Sequence, residues 1–326
     1  MIKTLILSAG IGSRMRPLTN DLPKPLFPFA GPTAMDLALS KAKEISPLGI
    51  AVNVHHLADK IRSHINEFWN NERIVISYEK ELLNTGGAVT KLRSWISDSH
   101  LLILNADIVS NIQLKHVINH HLNTDAYATM VILPKHHTLS TPVYTDSKRV
   151  ISIGKKPVNT SNIYPCTFSG LHILAPKFIR SMPNHSITSI IDTYKSLLNE
   201  HKLISTYTHP GFWADIGTPP SLFAALKKFV DDYSTQLDQS LSITKTASRL
   251  QKECHIDKQK KSIVIKSMLD HPSMKNIQLS DYAFLCREIH VTKFCQIKHS
   301  LILQECSLKE TCLNNRILTR HCHLRL

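Results

Sequence analysis

The sequence is 326 residues long and has no apolar run near the eighteen or so residues that a membrane-spanning helix needs. A helical membrane protein is therefore excluded. The first residues, MIKTLILSAG, pass straight into a charged loop with no small-residue cleavage site, so the chain is expected in the cytoplasm. None of the seven cysteines forms a CxxC pair, and most lie in the last third at positions that otherwise hold aliphatic residues. They read as buried reduced thiols. Only 6% of residues are aromatic, and no RRM, KH or zinc-finger pattern occurs. The net charge of +14 fits nucleic acid, a membrane surface or a polyanionic small molecule, but reads first as a basic proteome or a solvated surface, and no specific nucleic-acid partner is expected. HExxH is absent, so His55-His56 and His120-His121 read as surface or helix-end residues. GxxxxGK[ST] is absent too, as is any Ser, Cys or His triad.

What is present is a rhythm. Short apolar runs TLILSA (4–9), IAVNV (50–54), RIVISY (73–78) and LLILNAD (101–107) alternate with helix-period segments AMDLALSKAKEI (34–45), LADKIRSHINEFW (57–69) and GAVTKLRSWI (87–96). Strand and helix in alternation predict an α/β domain, a mostly parallel sheet with helices on its faces, over residues 1–235. Ligands of such folds bind at the carboxyl ends of the strands. Beyond 235 the text turns polar and mixed in charge, and 236–262 reads as a helical linker or loop. In 263–326, small apolar residues recur at near-hexad intervals, Cys295 to Leu301 and Cys306 to Cys312, which suggests stacked β-solenoid turns, with a small irregular β extension as the competing reading.

The segment LSAGIGSRMRPLTNDLPKPLFPFAG (7–31) follows the first strand. Gly10 and Gly12 there serve equally a phosphate cradle or a tight turn. The cations tip the balance. Arg14 and Arg16 follow the glycines, Pro17, Pro23 and Pro25 stiffen the backbone, and Lys24 stands between two prolines, an arrangement suited to reaching a bound anion.

This stretch resembles the signature of sugar-1-phosphate nucleotidyltransferases, roughly LxAGxGxRxxPxTxxxPKPLxPxxG. YEKELLNTGGAV (78–89), LILNAD (102–107) and FWADIGTP (212–219) are similar to further segments of that family, in the same order. The resemblance implies a Rossmann-like fold, and a Mg²⁺-dependent reaction of an NTP with a sugar 1-phosphate that gives NDP-sugar and pyrophosphate. It implies that Asp107 and Asp215 hold the metal, that Arg14 meets the β and γ phosphates, and that Lys24 pulls on the transferred phosphate. Backbone at Ala9, Gly10, Ile11 and Gly12 would line the triphosphate, and Thr85, Gly86 and Gly87 the base, with Glu79 and Glu81 nearby. Lys156 and Gly170 would serve the sugar phosphate. One departure stands out: ISIGKKPV (151–158) has Lys155 where the family carries an acid, and a lysine cannot accept sugar hydroxyls.

The C-terminal repeat resembles, in a degenerate form poor in glycine, the left-handed β-helix of many such enzymes, and implies self-association through that domain. His290, His299, His321 and His323 within it read as surface residues. Within the class the tail favours a mannose-1-phosphate guanylyltransferase-like enzyme. A uridylyltransferase of an amino-sugar phosphate and a heptose-phosphate guanylyltransferase stay open, as does a regulatory subunit that binds NDP-sugar without turnover.

Overall fold

The computed structural model describes residues 1–46, 49–136, 140–158, 162–184, 187–286, 289–291, 294–303, 306–308, 312–319 and 323–325. His321 lies outside the described residues. The chain divides into two compact units, one of residues 1–10, 41–106 and 112–213, the other of residues 11–40, 107–111 and 214–326.

The first unit is built on a mixed sheet. Its strands are β1 (Ile2–Leu7), β2 (Ile50–Val54), β3 (Ile74–Tyr78) and β4 (His100–Asn105), then, past a short β5 (Ile108–Ser110) that belongs to the other unit, β6 (Ala128–Leu133), β7 (Pro142–Thr145), β8 (Val150–Ile153), β9 (Tyr164–Leu174) and β10 (Ile204–Thr208). The order is β10-β6-β9-β4-β1-β2-β3, with β7 and β8 appended to β9. The run β4-β1-β2-β3 is parallel, while β9 runs antiparallel between β4 and β6. The expected α/β fold with a mostly parallel central sheet is what the chain adopts. Every residue of β2 and β6 is buried, the mark of strands covered on both faces.

The helices of this part of the chain are α1 (Ala34–Ile45), which has residues in both units, then α2 (Ala58–Phe68), α3 (Asn84–Lys91), α4 (Arg93–Ile96), α5 (Leu114–Leu122), α6 (Pro176–Ser181) and α7 (Ile190–Asn199). One apolar core joins Leu5, Ile103, Met130, Phe178 and Tyr194. The buried hydroxyls of Ser77 and Thr193 have no hydrogen-bond partner, whereas other polar residues enter the unit's interior with partners. His121, expected at a surface or helix end, does end α5 but is buried, with its ring nitrogens 2.8 Å from Thr129 Oγ1 and 2.9 Å from His100 Nδ1. Burial first, then the neighbouring His100, pushes its pKa down to about 4.

In the second unit, β11 (Trp213–Asp215) pairs with β5, and α8 (Pro219–Asp231) follows. Residues 236–262 fold into α9 (Thr235–Leu241), α10 (Ile243–Leu250) and β12 (Cys254–Asp257), and bury Leu237, Leu241, Ile243, Ala247 and Leu250. The strands after it are β13 (Ser262–Ile265), β14 (Ile277–Leu285), β15 (Ile289–Val291), β16 (Cys295–Ile302), β17 (Cys306–Leu308), β18 (Cys312–Asn314), β19 (Arg316–Leu318) and β20 (His323–Arg325), with α11 (Lys266–Leu269) after β13.

From β14 onward, parallel partners lie 16 to 18 residues apart, as in Ile277↔Cys295, Ile289↔Cys306 and Gln296↔Cys312. The described parallel neighbours in that stretch are joined without crossover helices, which is consistent with a β-helix-like domain. Of the positions expected inward, Cys295 and Leu301 are buried, but the later two are not. Leu308, Leu313 and Leu318 enter the core, because Leu313 stacks on Ile297 in register, whereas Cys306 is only half-buried and Cys312 is exposed. Of the described cysteines Cys166, Cys286 and Cys295 are buried, and none of the six described is in a disulfide.

Candidate active site

Four charged residues of the second unit converge, and local structure explains each approach. After Gly12, held at φ 67°, the chain makes a short 3-10 turn through Arg14. Thr19 braces that turn, its Oγ1 donating to the Gly12 carbonyl at 2.9 Å. The third 3-10 turn begins at Lys24, which is only 8% exposed despite its charge. A buried ammonium needs a counter-charge, and Lys24 Nζ donates to Asp107 Oδ2.

Asp107 and Asp215 are brought together by backbone. Asp107 immediately precedes β5 and Asp215 ends β11, the two strands pair, and Ile216 N–H donates to the Asp107 carbonyl at 3.0 Å. The turn then stops cleanly at α8, where Thr218 and Ser221 form a reciprocal capping box and Pro219 starts the helix. Asp215 Oδ1 is buried and has no hydrogen-bond partner. Its carboxyl is raised above the ordinary value, by burial first and by the charge of Asp107 second, against the pull of Lys24 and Arg14.

Gly217 is a member of this site that sequence reasoning passed over as a turn residue. A Cβ there would stand 2.5 Å from Asp215 Oδ1, 2.9 Å from Arg14 Nη2 and 3.0 Å from Lys24 Nζ. Two cations and a carboxylate thus meet above one bare Cα. The signal available in FWADIGTP was a glycine two residues after an aspartate, which a cap or turn explains as well.

The remaining expected residues divide between the units. Ile11 and Gly12 belong to the second; the rest belong to the first. Ala9 is buried, while Gly10 is exposed and a Cβ on it would meet nothing within 4 Å. Gly86 and Gly87 lie buried in α3, with Thr85 half-buried beside them. Packing alone demands glycine at 86, since a Cβ would stand 2.7 Å from the Thr188 carbonyl oxygen. Gly87 N–H donates to that same carbonyl at 3.2 Å. A cavity of about 590 Å³ opens beside this segment, lined by Lys80, Glu81, Leu83, Gly87, Thr90 and others.

Lys155 and Lys156 are both exposed after β8. Gly170, at φ 84°, sits in a bulge of β9, and Ser169 before it accepts a hydrogen bond from Trp213 Nε1 at 2.9 Å. Lys156 and Gly170 belong to the first unit, Arg14, Lys24, Asp107 and Asp215 to the second. Among the described residues no helix is long and apolar enough to cross a membrane.

The family model described as nucleotidyl transferase matches residues 3–232. The "Probable mannose-1-phosphate guanylyltransferase 3" of Oryza sativa subsp. japonica is 22% identical over 98% of this chain and 86% of its own length. The N-acetylmuramate alpha-1-phosphate uridylyltransferase of Caulobacter vibrioides is 28% identical over 68% of this chain and 94% of its own. Among solved structures, HddC from Yersinia pseudotuberculosis complexed with GMP-PN superposes with a TM-score of 0.57 at 23% identity, covering 70% of this chain and 100% of that one.

Proposed function

Because the chain belongs to the nucleotidyl transferase family and is a sugar-1-phosphate nucleotidyltransferase, we propose that it transfers a guanylyl group from GTP to mannose 1-phosphate or a close analogue, releasing pyrophosphate. The observation that carries the reaction is the convergence of Arg14, Lys24, Asp107 and Asp215 at Gly217. Such a transfer needs the α-phosphorus held in line with an attacking phosphate oxygen while negative charge builds on the departing pyrophosphate. The attacking oxygen is already anionic, so no general base is required. Lys24 holds the transferred phosphate, and Arg14 the β and γ phosphates. Backbone N–H groups from Ala9 to Gly12 line the triphosphate, Thr85 to Gly87 flank the base, and Lys156 and Gly170 take the sugar phosphate.

Mg²⁺ fits the carboxylates present. It binds through one or two carboxylates completed by phosphate oxygens and water, so it needs no cage of three protein ligands, and the described residues contain none. Asp107 and Asp215 would hold it, and the buried, unpartnered Oδ1 of Asp215 is the kind of oxygen it takes. When bound, the ion neutralises phosphate charge. Lys24 keeps Asp107 oriented, and the Asp215–Gly217 turn keeps Asp215 facing the same point.

Guanylyl transfer to mannose 1-phosphate is favoured by reach: the rice relative aligns with 98% of the chain, C-terminal strands included, and the uridylyltransferase with 68%. Pyrophosphate release from a panel of NTPs and sugar 1-phosphates tests this, with GTP and mannose 1-phosphate expected to be fastest. UTP with an amino-sugar phosphate as the best pair would overturn the choice of substrate. Binding of NDP-sugar with no turnover by any pair would overturn the reaction itself.

A further inference from the structure

A buried line of polar groups crosses the carboxyl ends of β1, β2 and β3. The backbone N–H of Ser8 donates to Asn53 Oδ1 at 2.8 Å, and Asn53 Nδ2 donates to Glu79 Oε1 at 2.8 Å. Glu79 Oε2 in turn accepts the backbone N–H of Leu83 at 3.0 Å. Ser8 and Asn53 are each 4% exposed and Glu79 1%. The backbone of Glu79 is fixed on both sides, its N–H donating to Val54 O at 2.8 Å and its carbonyl meeting His55 Nδ1 at 2.9 Å. The Ser8 hydroxyl closes the line by donating to the Asn53 carbonyl.

The polarity of this line is forced. A backbone N–H stands at each end, so Asn53 must turn its oxygen to Ser8 and its amide nitrogen to residue 79. Residue 79 must then present acceptors on both of its terminal atoms. A carboxylate does so, whereas a carboxamide offers one acceptor and one donor. Glutamine at 79 would leave a donor facing a donor in a buried place, whichever way it turned.

The line ends at two segments of interest. Ser8 precedes Ala9 and Gly10, and Leu83 leads into α3, which carries Thr85, Gly86 and Gly87. We propose that Asn53 and Glu79 are positioning residues that hold these two segments in fixed relation, so that nucleotide affinity depends on the hydrogen-bond polarity of the line. The kinetic part rests on the nucleotidyl-transfer reading; the coupling of the two segments does not.

A polarity swap tests it. Glu79→Gln places donor against donor, and Asn53→Asp places carboxylate against carboxylate. In the double variant the carboxylate now at position 53 accepts from Ser8 and from the amide of residue 79, whose oxygen accepts from Leu83, so every bond returns with the charge moved one residue. Each single variant should raise the KM for GTP, or for whichever NTP the wild type uses, by about tenfold or more, and the double should return to within about threefold of wild type. The KM for the sugar 1-phosphate should stay within about twofold throughout. Amide hydrogen exchange without nucleotide should quicken in both residues 8–12 and 83–87 in each single variant and slow again in the double. If the single variants are too unstable to assay, the double must still fold and bind. A double variant that regains its melting temperature but not nucleotide affinity overturns the positioning role. Exchange that quickens in only one of the two segments overturns the coupling. A wild type without turnover would instead overturn the functional reading and leave the exchange result to decide the coupling.

Discussion

Around Glu79 each polar atom of the line has a partner within the protein, and around Asp215 one does not. Asn53 and Glu79 direct their donors and acceptors to each other and to backbone, whereas Arg14, Lys24 and Asp215 crowd together over the Cα of Gly217, and Asp215 Oδ1 has no hydrogen-bond partner. The Asn53–Glu79 line is buried throughout, whereas in the other cluster Lys24 is buried, Asp107 and Asp215 are half-buried and Arg14 is exposed, yet burial is not the deciding difference. Satisfaction is. A closed network can only hold the chain in place, while like charges and unmet acceptors brought together at some cost await a group that completes them.

If that contrast is right, substitutions in the open cluster should damage turnover far more than stability. Lys24→Ala should lower kcat by about two powers of ten or more, since a preorganised cation aimed at developing charge is worth roughly 3 kcal/mol of barrier. The fold should survive, with a cooperative thermal transition retained. A variant that kept more than about a tenth of wild-type kcat would remove Lys24 from the reaction and undo the contrast.

Gly217→Ala comes next. Its methyl carbon would fall 2.5 Å from Asp215 Oδ1 and within 3.0 Å of Arg14 and Lys24, so the three groups must part. A displacement of this kind should cost about ten- to a hundredfold in kcat. Titration with Mg²⁺ should show a weaker apparent affinity as well. Gly86→Ala makes the control, because its methyl would strike the Thr188 carbonyl and should lower the melting temperature.

How much of this could be read from the residues alone depends on whether the deciding partner was near in sequence. AMDLALSKAKEI and IAVNV fold as α1 and β2 with the expected limits, since period and composition act locally. GAVTKLRSWI splits into α3 and α4, and the first begins early, at Asn84, in a left-handed conformation at φ 59° that periodicity does not register. In the β-helix-like strands the hexad reading picked Cys312, but pairing with β16 set Leu313 inward instead. Lys24, Asp107 and Asp215 stood out as charges in motifs. Gly217 did not, because its need arises from side chains on three separate segments. Asn53 left a faint mark, one amide in an otherwise apolar strand, whose meaning depended on Ser8 and Glu79.

The closed regions should instead respond through stability, and pH offers a graded probe. His172 and Tyr194 are buried together, Nδ1 and the hydroxyl 2.6 Å apart, and burial pushes the imidazole from 6.5 down to about 3. The unfolded chain takes up a proton near 6.5 that the folded chain refuses until far lower. Stability from this group is therefore complete above the ordinary histidine range and drains away as pH falls from about 6.5 toward 3, by up to about 1.4 kcal/mol per pH unit. His121, held down to about 4, adds in the same sense. Urea unfolding at pH 7, 6 and 5 should show this slope, and His172→Gln should flatten it. An unchanged slope in that variant would mean that His172 is not the group responsible.

The smallest effect sits where a closed contact touches the open cluster. Thr19 is 1% exposed and its hydroxyl donates to the Gly12 carbonyl at 2.9 Å, bracing the turn that delivers Arg14. Thr19→Val keeps the shape and removes that donor, so it should cost about 1 kcal/mol. If the brace serves only the fold, the whole cost will appear in the urea midpoint and the KM for the NTP will not move. If it also sets the turn under the triphosphate, KM should rise about threefold, up to the roughly fivefold that 1 kcal/mol corresponds to. Thr19→Ser, which keeps the hydroxyl and loses only the methyl, should leave KM where it was, and a rise in Ser as large as in Val would assign the effect to packing rather than to the hydrogen bond.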